Sequence, residues 1–266
     1  MNASARPSRA VWLFSLTRSG SSAAVYASAH ALGWAVADEP FGPWDRTGDP
    51  YNYPPIQTRL HREHLARSEI LCHATSNMLD ELIASLADRA RAPGVIIKMP
   101  HLMVKPDDLS RLRPDDRAAY LIRNPLARLN SLYTRGWHDT IYPPFDAETV
   151  KVFLHRASEA PRPMRLAFDA LHATPRRFFR SLWRAWGIPF DESQVESAVQ
   201  YRAQNYHESS ADRGPGRNPH RVLSDHRLDV PPDAVDHYLC DPVIRAALEQ
   251  AGWSLDPADY SSSTPR

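Results

Sequence analysis

Two short polar stretches in this chain carry the residue types that hold phosphates. The first is Thr17-Arg18-Ser19-Gly20-Ser21-Ser22. Arg18 supplies a fixed charge, the three serines supply hydroxyl donors, and Gly20 lets the backbone approach an anion closely. The second is Arg123-Asn124-Pro125, followed by Ser131. Here too a guanidinium and a hydroxyl stand close enough in sequence to meet one anion.

Each stretch sits between the elements that would position it. Residues 11–16 form a short apolar run that reads as a buried strand. After the turn comes an alanine-rich helix pattern that ends at Gly33, a good residue for a helix C-terminus. Residues 118–122 form a second apolar strand, and Pro125 is well placed in the first turn of the helix after it. A strand, a small polar turn and a helix build an anion site. The first N–H groups of the helix lack intrahelical partners, and its dipole favours negative charge there. The loop is not a Walker A motif, because G-x-x-x-x-G-K-[ST] is absent. For the first stretch alone, an ordinary strand-to-helix turn with a serine cap is the plain alternative. The second stretch, with the same layout, favours paired anion sites.

The two motifs together resemble those of the PAPS-dependent sulfotransferase family. TRSGSS after the first strand is similar to the family's 5′-phosphosulfate loop, with Arg18 where the cytosolic branch has lysine. Arg123-Asn-Pro with Ser131 is similar to its 3′-phosphate motif. The resemblance implies that Arg18, Ser19, Gly20, Ser21 and Ser22 hold the 5′ end of the donor, and that Arg123 and Ser131 hold its 3′-phosphate. It implies 3′-phosphoadenosine 5′-phosphosulfate (PAPS) as donor substrate and no metal. Arg213-Gly214-x-Gly216 distantly resembles the family segment that wraps the 3′-phosphate, so Arg213, with Arg217 nearby, is a further donor candidate. A solvated basic loop is the other reading of that segment.

Candidates for the chemistry itself are fewer. Residues 95–97 read as a third strand with Lys98 and His101 at its end, and open α/β sheets bind ligands at the carboxyl ends of strands. Lys98 could neutralise the bridging oxygen of the leaving phosphate. His101, with a pKa near neutrality, could accept the acceptor's proton. Asp38-Glu39-Pro40-Phe41 resembles the Glu-Pro stretch after the first helix of carbohydrate-type sulfotransferases, which makes Glu39 the rival base. A surface or capping histidine and a solvated acid before a proline are their bland counterparts.

Composition bounds the rest. The chain has 266 residues, with 32 Lys and Arg against 31 Asp and Glu. That length suits one α/β domain over residues 1–266, and the near-neutral balance points away from nucleic acid and from an anionic membrane surface. The apolar run near the N-terminus is too short for a signal peptide or membrane helix. Cys72 and Cys240 stand far apart in no metal spacing, which fits a reducing, cytoplasmic location.

Along the chain, residues 37–58 read as a long loop rich in Pro, Gly and aromatics. Phe41, Trp44, Tyr51 and Tyr53 either line an acceptor pocket or pin this loop to the body. Residues 60–72 and 76–92 read as amphipathic helices. Residues 142–146 read as another Pro/aromatic loop, which could face the acceptor. Helices follow at 147–159 and 163–172. Thr174-Pro175 marks a helix start, and that helix runs to Gly187. Asp191 with Gln194 forms a capping-box pattern. The passage LWRAWGIPFDE is also similar to the family, and these helices, from FFRSLWRAW on, read as structural with their aromatics as core. Residues 205–226 read as a mobile loop, and Asp241-Pro242 starts a last helix ending near Gly252.

These readings predict a three-layer α/β sandwich with a central parallel β-sheet, like the P-loop nucleotide kinases. The function implied is sulfuryl transfer to a hydroxyl or amine of a small-molecule or carbohydrate acceptor. Two rivals stand beside it: a P-loop kinase using ATP, and a non-catalytic nucleotide-binding member of the fold.

Overall fold

The computed structural model describes residues 9–17, 19–38, 83–84, 86–88, 90–100, 116–133, 143–205 and 230–253. Its sheet is built from β1 (Arg9–Ser15), β2 (Ala35–Asp38), β3 (Gly94–Pro100), β4 (Arg117–Ile122) and β5 (Arg165–Ala167). The five strands run parallel in the order β2-β3-β1-β4-β5. The helices are α1 (Ser21–Leu32), α2 (Pro125–Tyr133), α3 (Pro143–Glu159), α4 (Phe168–Ala173), α5 (Pro175–Ala185), α6 (Glu192–Asn205), α7 (Pro232–Leu239) and α8 (Pro242–Gln250).

Parallel strands joined by helices must be apolar on both faces, and β1 shows how this chain meets that demand. Ala10, Trp12 and Phe14 point into one core with α2, α3, α7 and α8. Val11 and Leu13 point into the other with α1, α5 and α6. Two cores around one sheet make the three-layer α/β sandwich that the sequence predicts.

The polar edges of the large aromatics are satisfied inside these cores. Trp12 Nε1 donates to Asp116 Oδ2 at 3.0 Å, Trp183 Nε1 to Ser28 Oγ at 2.9 Å, and Trp186 Nε1 to the Trp12 carbonyl at 2.9 Å. Arg9 donates to the carbonyls of Trp186 and Gly187 at 2.6 and 2.9 Å, tying the start of β1 to the C-terminus of α5. Burial of Phe178, Phe179, Trp183 and Trp186 agrees with their reading as core.

Local signals behave as their chemistry dictates at several ends. Gly33 closes α1 in the left-handed region at φ 66°. The Asp191/Gln194 capping box forms reciprocally: Gln194 N donates to Asp191 Oδ1 at 2.9 Å, and Asp191 N donates to Gln194 Oε1 at 3.0 Å. Asp241 Oδ1 accepts from the N–H groups of Val243 and Ile244 at the start of α8.

Three segments differ from expectation. Residues 37–38, read as loop, complete β2, whose Ala35 and Asp38 pair with Val95 and Lys98. Pro143 begins α3, so residues 143–146 are its first turn rather than loop. Pro is tolerated in a first turn, where its missing N–H has no helical role. Residues 163–172, read as one helix, contain a 3₁₀ turn, the three-residue strand β5 and the start of α4. Pairing of Arg165 with Tyr120 and of Ala167 with Ile122 overrides the helical preference of Leu and Ala there. The helix read at 60–72 and all of residues 39–58 lie outside the described residues. The helix read at 76–92 is helical at 83–84, 86–88 and 90. Among the described residues no helix is long and apolar enough to cross a membrane.

Candidate anion-binding site

Strand order places the site. From β1 the chain crosses to the β2 side of the sheet, whereas from β4 it continues to β5. The connections after these two adjacent strands therefore diverge, which makes this the topological switch point, where open α/β sheets bind ligands outside the carboxyl ends of their strands. The two polar stretches are the loops on either side of it.

On the first side, the Ser19 N–H donates to the Leu16 carbonyl at 3.1 Å, closing the turn. Gly20 is the N-cap of α1, at φ 74° and ψ 12°, and among the described residues no side-chain capping hydrogen bond is formed there. The first N–H groups of α1 stand where a helix dipole favours an anion. Ser19 is 1 % exposed, and its Oγ has no hydrogen-bond partner among the described residues. The buried Oγ of Ser15 has none either. Such a hydroxyl costs about 1–3 kcal/mol unless something meets it.

Lys98 approaches from β3, the other neighbour of β1. It is buried, and its Nζ donates to Ser22 Oγ at 2.9 Å. An ammonium group is thus brought to the first turn of α1, beside its first N–H groups.

On the second side, Asn124 is the N-cap of α2. Its Oδ1 accepts from the N–H groups of Leu126 and Ala127 at 2.9 and 3.2 Å. Arg123, at the end of β4, and Ser131, on α2, are both buried. The Arg123 guanidinium lies over the Phe168 ring, with Cζ 4.5 Å from the ring centroid. Phe168 also lies against the first loop: a Cβ on Gly20 would come within 2.3 Å of its Cε2. Gly20 is therefore required twice, for its positive φ and for the room it leaves. The two polar stretches meet across one aromatic ring.

Further residues brace the site. Arg128, on α2, is wholly buried and reaches back to the first loop, its Nε donating to the Thr17 carbonyl at 2.8 Å. His172, one turn beyond Phe168 in α4, packs on that ring with centroids 4.6 Å apart. The Arg202 guanidinium of α6 donates to His172 Nδ1. A guanidinium has no acceptor, so the neutral imidazole carries its proton on Nε2. Burial, reinforced by the charges of Arg202 and Arg123, holds His172 down at about 3.

The structure therefore brings together Ser19, Gly20, Ser21, Ser22 and Lys98, and joins them to Arg123 through Phe168. Arg18, Glu39, His101, Arg213 and Arg217 lie outside the described residues. Arg128, Phe168, His172 and Arg202 are the contributors that sequence reasoning passes over. The one signal available was Arg128 among the apolar positions of an amphipathic helix. Among the described residues no cluster of three His, Cys, Asp or Glu side chains is placed to hold a metal.

No protein-family model matches the sequence, and no curated protein matches it. Solved structures do. The sulfotransferase domain from the Synechococcus PCC 7002 olefin synthase is 15% identical, at a TM-score of 0.55 over 96% of this chain and 99% of that one. The sulfotransferase domain from the curacin biosynthetic pathway is 14% identical, at 0.53 over 95% and 100%. Mouse sulfotransferase SULT7A1, crystallised with PAP, is 11% identical, at 0.51 over 93% and 90%. The chain has the fold of these sulfotransferases.

Proposed function

We propose that this chain is a PAPS-dependent sulfotransferase, a single domain over residues 1–266. It moves a sulfuryl group to a hydroxyl or amine of a small-molecule or carbohydrate acceptor. The observation that carries the reading is the buried Ser19 hydroxyl, without a partner among the described residues, beside the N-terminus of α1. A phosphosulfate oxygen would satisfy both. A second phosphate on the same ribose would account for a buried arginine after β4 and a buried serine on the helix that follows it. The fold shared with an enzyme crystallised with PAP supports the same donor.

The donor supplies an activated sulfuryl group; the chain binds it, orients it and stabilises the charge that develops. Arg18, Ser19, Gly20, Ser21 and Ser22 hold the 5′ end. Arg123 and Ser131 hold the 3′-phosphate, with Arg213 as a further donor contact. Lys98 lies beside Ser22, where negative charge grows on the leaving phosphate oxygen as its bond to sulfur breaks. The acceptor oxygen or nitrogen forms the new bond to sulfur, and its proton passes to Glu39 or His101.

Calorimetric titration tests the donor. Adenosine 3′,5′-bisphosphate should bind, and adenosine 5′-phosphate should bind more weakly. Binding of ATP with magnesium in their place would move the protein to the kinase reading. The base is tested by Glu39→Gln and His101→Ala. The true base should lower turnover about 10²-fold or more while donor affinity holds. Normal turnover in both would exclude both.

A further inference from the structure

We propose that Phe168 is a positioning residue that sets the spacing between the two anion sites, and so makes the protein select nucleotides phosphorylated at both the 5′ and the 3′ position. This rests on the donor reading above and deepens it.

The ring is shared. Its edge fills the volume that a side chain at residue 20 would need: an added Cβ would lie 2.3 Å from Cε2 and 2.7 Å from Cδ2. Its face carries the Arg123 guanidinium at 4.5 Å. One rigid side chain therefore fixes the backbone of the first site relative to the charge of the second. The Arg123 charge is thereby held over the ring, and a guanidinium is suited to contact with a phosphate.

The ring is itself held. Phe168 is 7% exposed and begins α4, directly after the last residue of β5. His172 packs on it from the next turn, and Arg202 of α6 holds His172 in place. Arg123, Phe168, His172 and Arg202 thus form a continuous chain of contacts from the end of β4 to α6. Freeing the ring would leave both loops in place but unlink them.

A change in spacing has a different signature from a lost contact or a weakened fold. The measurement is calorimetric affinity for adenosine 3′,5′-bisphosphate, adenosine 2′,5′-bisphosphate and adenosine 5′-phosphate, in wild type, Phe168→Leu, Phe168→Met and Phe168→Tyr. Thermal melting verifies that each variant is folded. Wild type should prefer the 3′,5′-bisphosphate over both other ligands. Phe168→Leu and Phe168→Met should lose about tenfold for that ligand and no more than about twofold for the monophosphate. Phe168→Tyr keeps the aromatic face and should keep the preference. In an Arg123→Met background, Phe168→Leu should bring no further loss, because the ring acts through that arginine.

An equal loss for the monophosphate would overturn the proposal, since the ring would then touch the base or hold the fold. An unchanged preference in Phe168→Leu or Phe168→Met, or a full additional loss in the Arg123→Met background, would overturn it too. If wild type bound none of the three nucleotides, the donor reading itself would fall. Intact wild-type binding with any of the other outcomes would defeat the spacing claim alone.

Discussion

Lys98 Nζ lies 2.9 Å from Ser22 Oγ, so the central strand's neighbour delivers a buried ammonium to the first turn of α1. If that ammonium stabilises charge on the leaving oxygen, Lys98→Met should lower kcat about 10²-fold or more. It should weaken bisphosphate binding by about 1.5–3 kcal/mol. Steady-state kinetics beside calorimetry separate the two effects. A normal kcat would remove Lys98 from the chemistry.

Arg123→Ala should weaken adenosine 3′,5′-bisphosphate binding by about 1.5–3 kcal/mol, the range for a hydrogen bond to a charged group. Adenosine 5′-phosphate, which lacks the second phosphate, should bind as it does to wild type. Titration of both ligands decides the matter. An unchanged bisphosphate affinity would eliminate the second anion site.

His172 should make stability depend on pH. Its pKa is held down at about 3 in the folded chain by burial and by the Arg202 and Arg123 charges. In the unfolded chain it returns to about 6.5. Below that value the unfolded chain takes up a proton that the folded chain refuses, so stability is full above pH 6.5 and falls as pH drops toward 3. The slope approaches about 1.4 kcal/mol per pH unit. Urea unfolding of wild type and His172→Asn between pH 7 and 5 checks this, above the range where carboxylates protonate. The difference between the two proteins should narrow as pH falls, and a constant difference would refute the assignment.

Asp191→Ala should destabilise the protein by about 0.5–2 kcal/mol, because it removes the cap of α6. Asp191 is exposed and belongs to neither anion site. Nucleotide affinity should therefore hold while the urea midpoint falls. Loss of affinity in step with stability would mean that α6 is coupled to the site.

The parts of the site that were legible in the sequence are those written in consecutive residues. An apolar run, a Gly/Ser turn and an alanine-rich segment predict β1, the loop and α1. The same logic with Asn124-Pro125 predicts β4 and α2. What was not legible depends on register between distant elements. β2 is short and rich in alanine, and β5 is three residues with an arginine in it, so neither has the β-branched run that marks a strand. Arg128 stands among the apolar positions of α2, but nothing local shows that the Thr17 carbonyl, from another element, receives it. Phe168 falls in a segment that reads only as helix, and its part in the site appears only with the space over Gly20.

The placement of β1 at the middle of the sheet also governs how the molecule must be made. Arg9 pairs with Gly94, and Val11 pairs with Arg117, so both flanks of this strand are supplied by chain that leaves the ribosome long after it. Until then a run of wholly apolar, strand-forming residues has nothing to pair with, the condition under which nascent chains aggregate. Contacts so distant in sequence also slow the search for the native arrangement. Because the first anion loop leaves directly from this strand, the loop gains its geometry only when β3 and β4 have both arrived. Truncated chains ending before β4 should therefore be chaperone clients rather than weak enzymes.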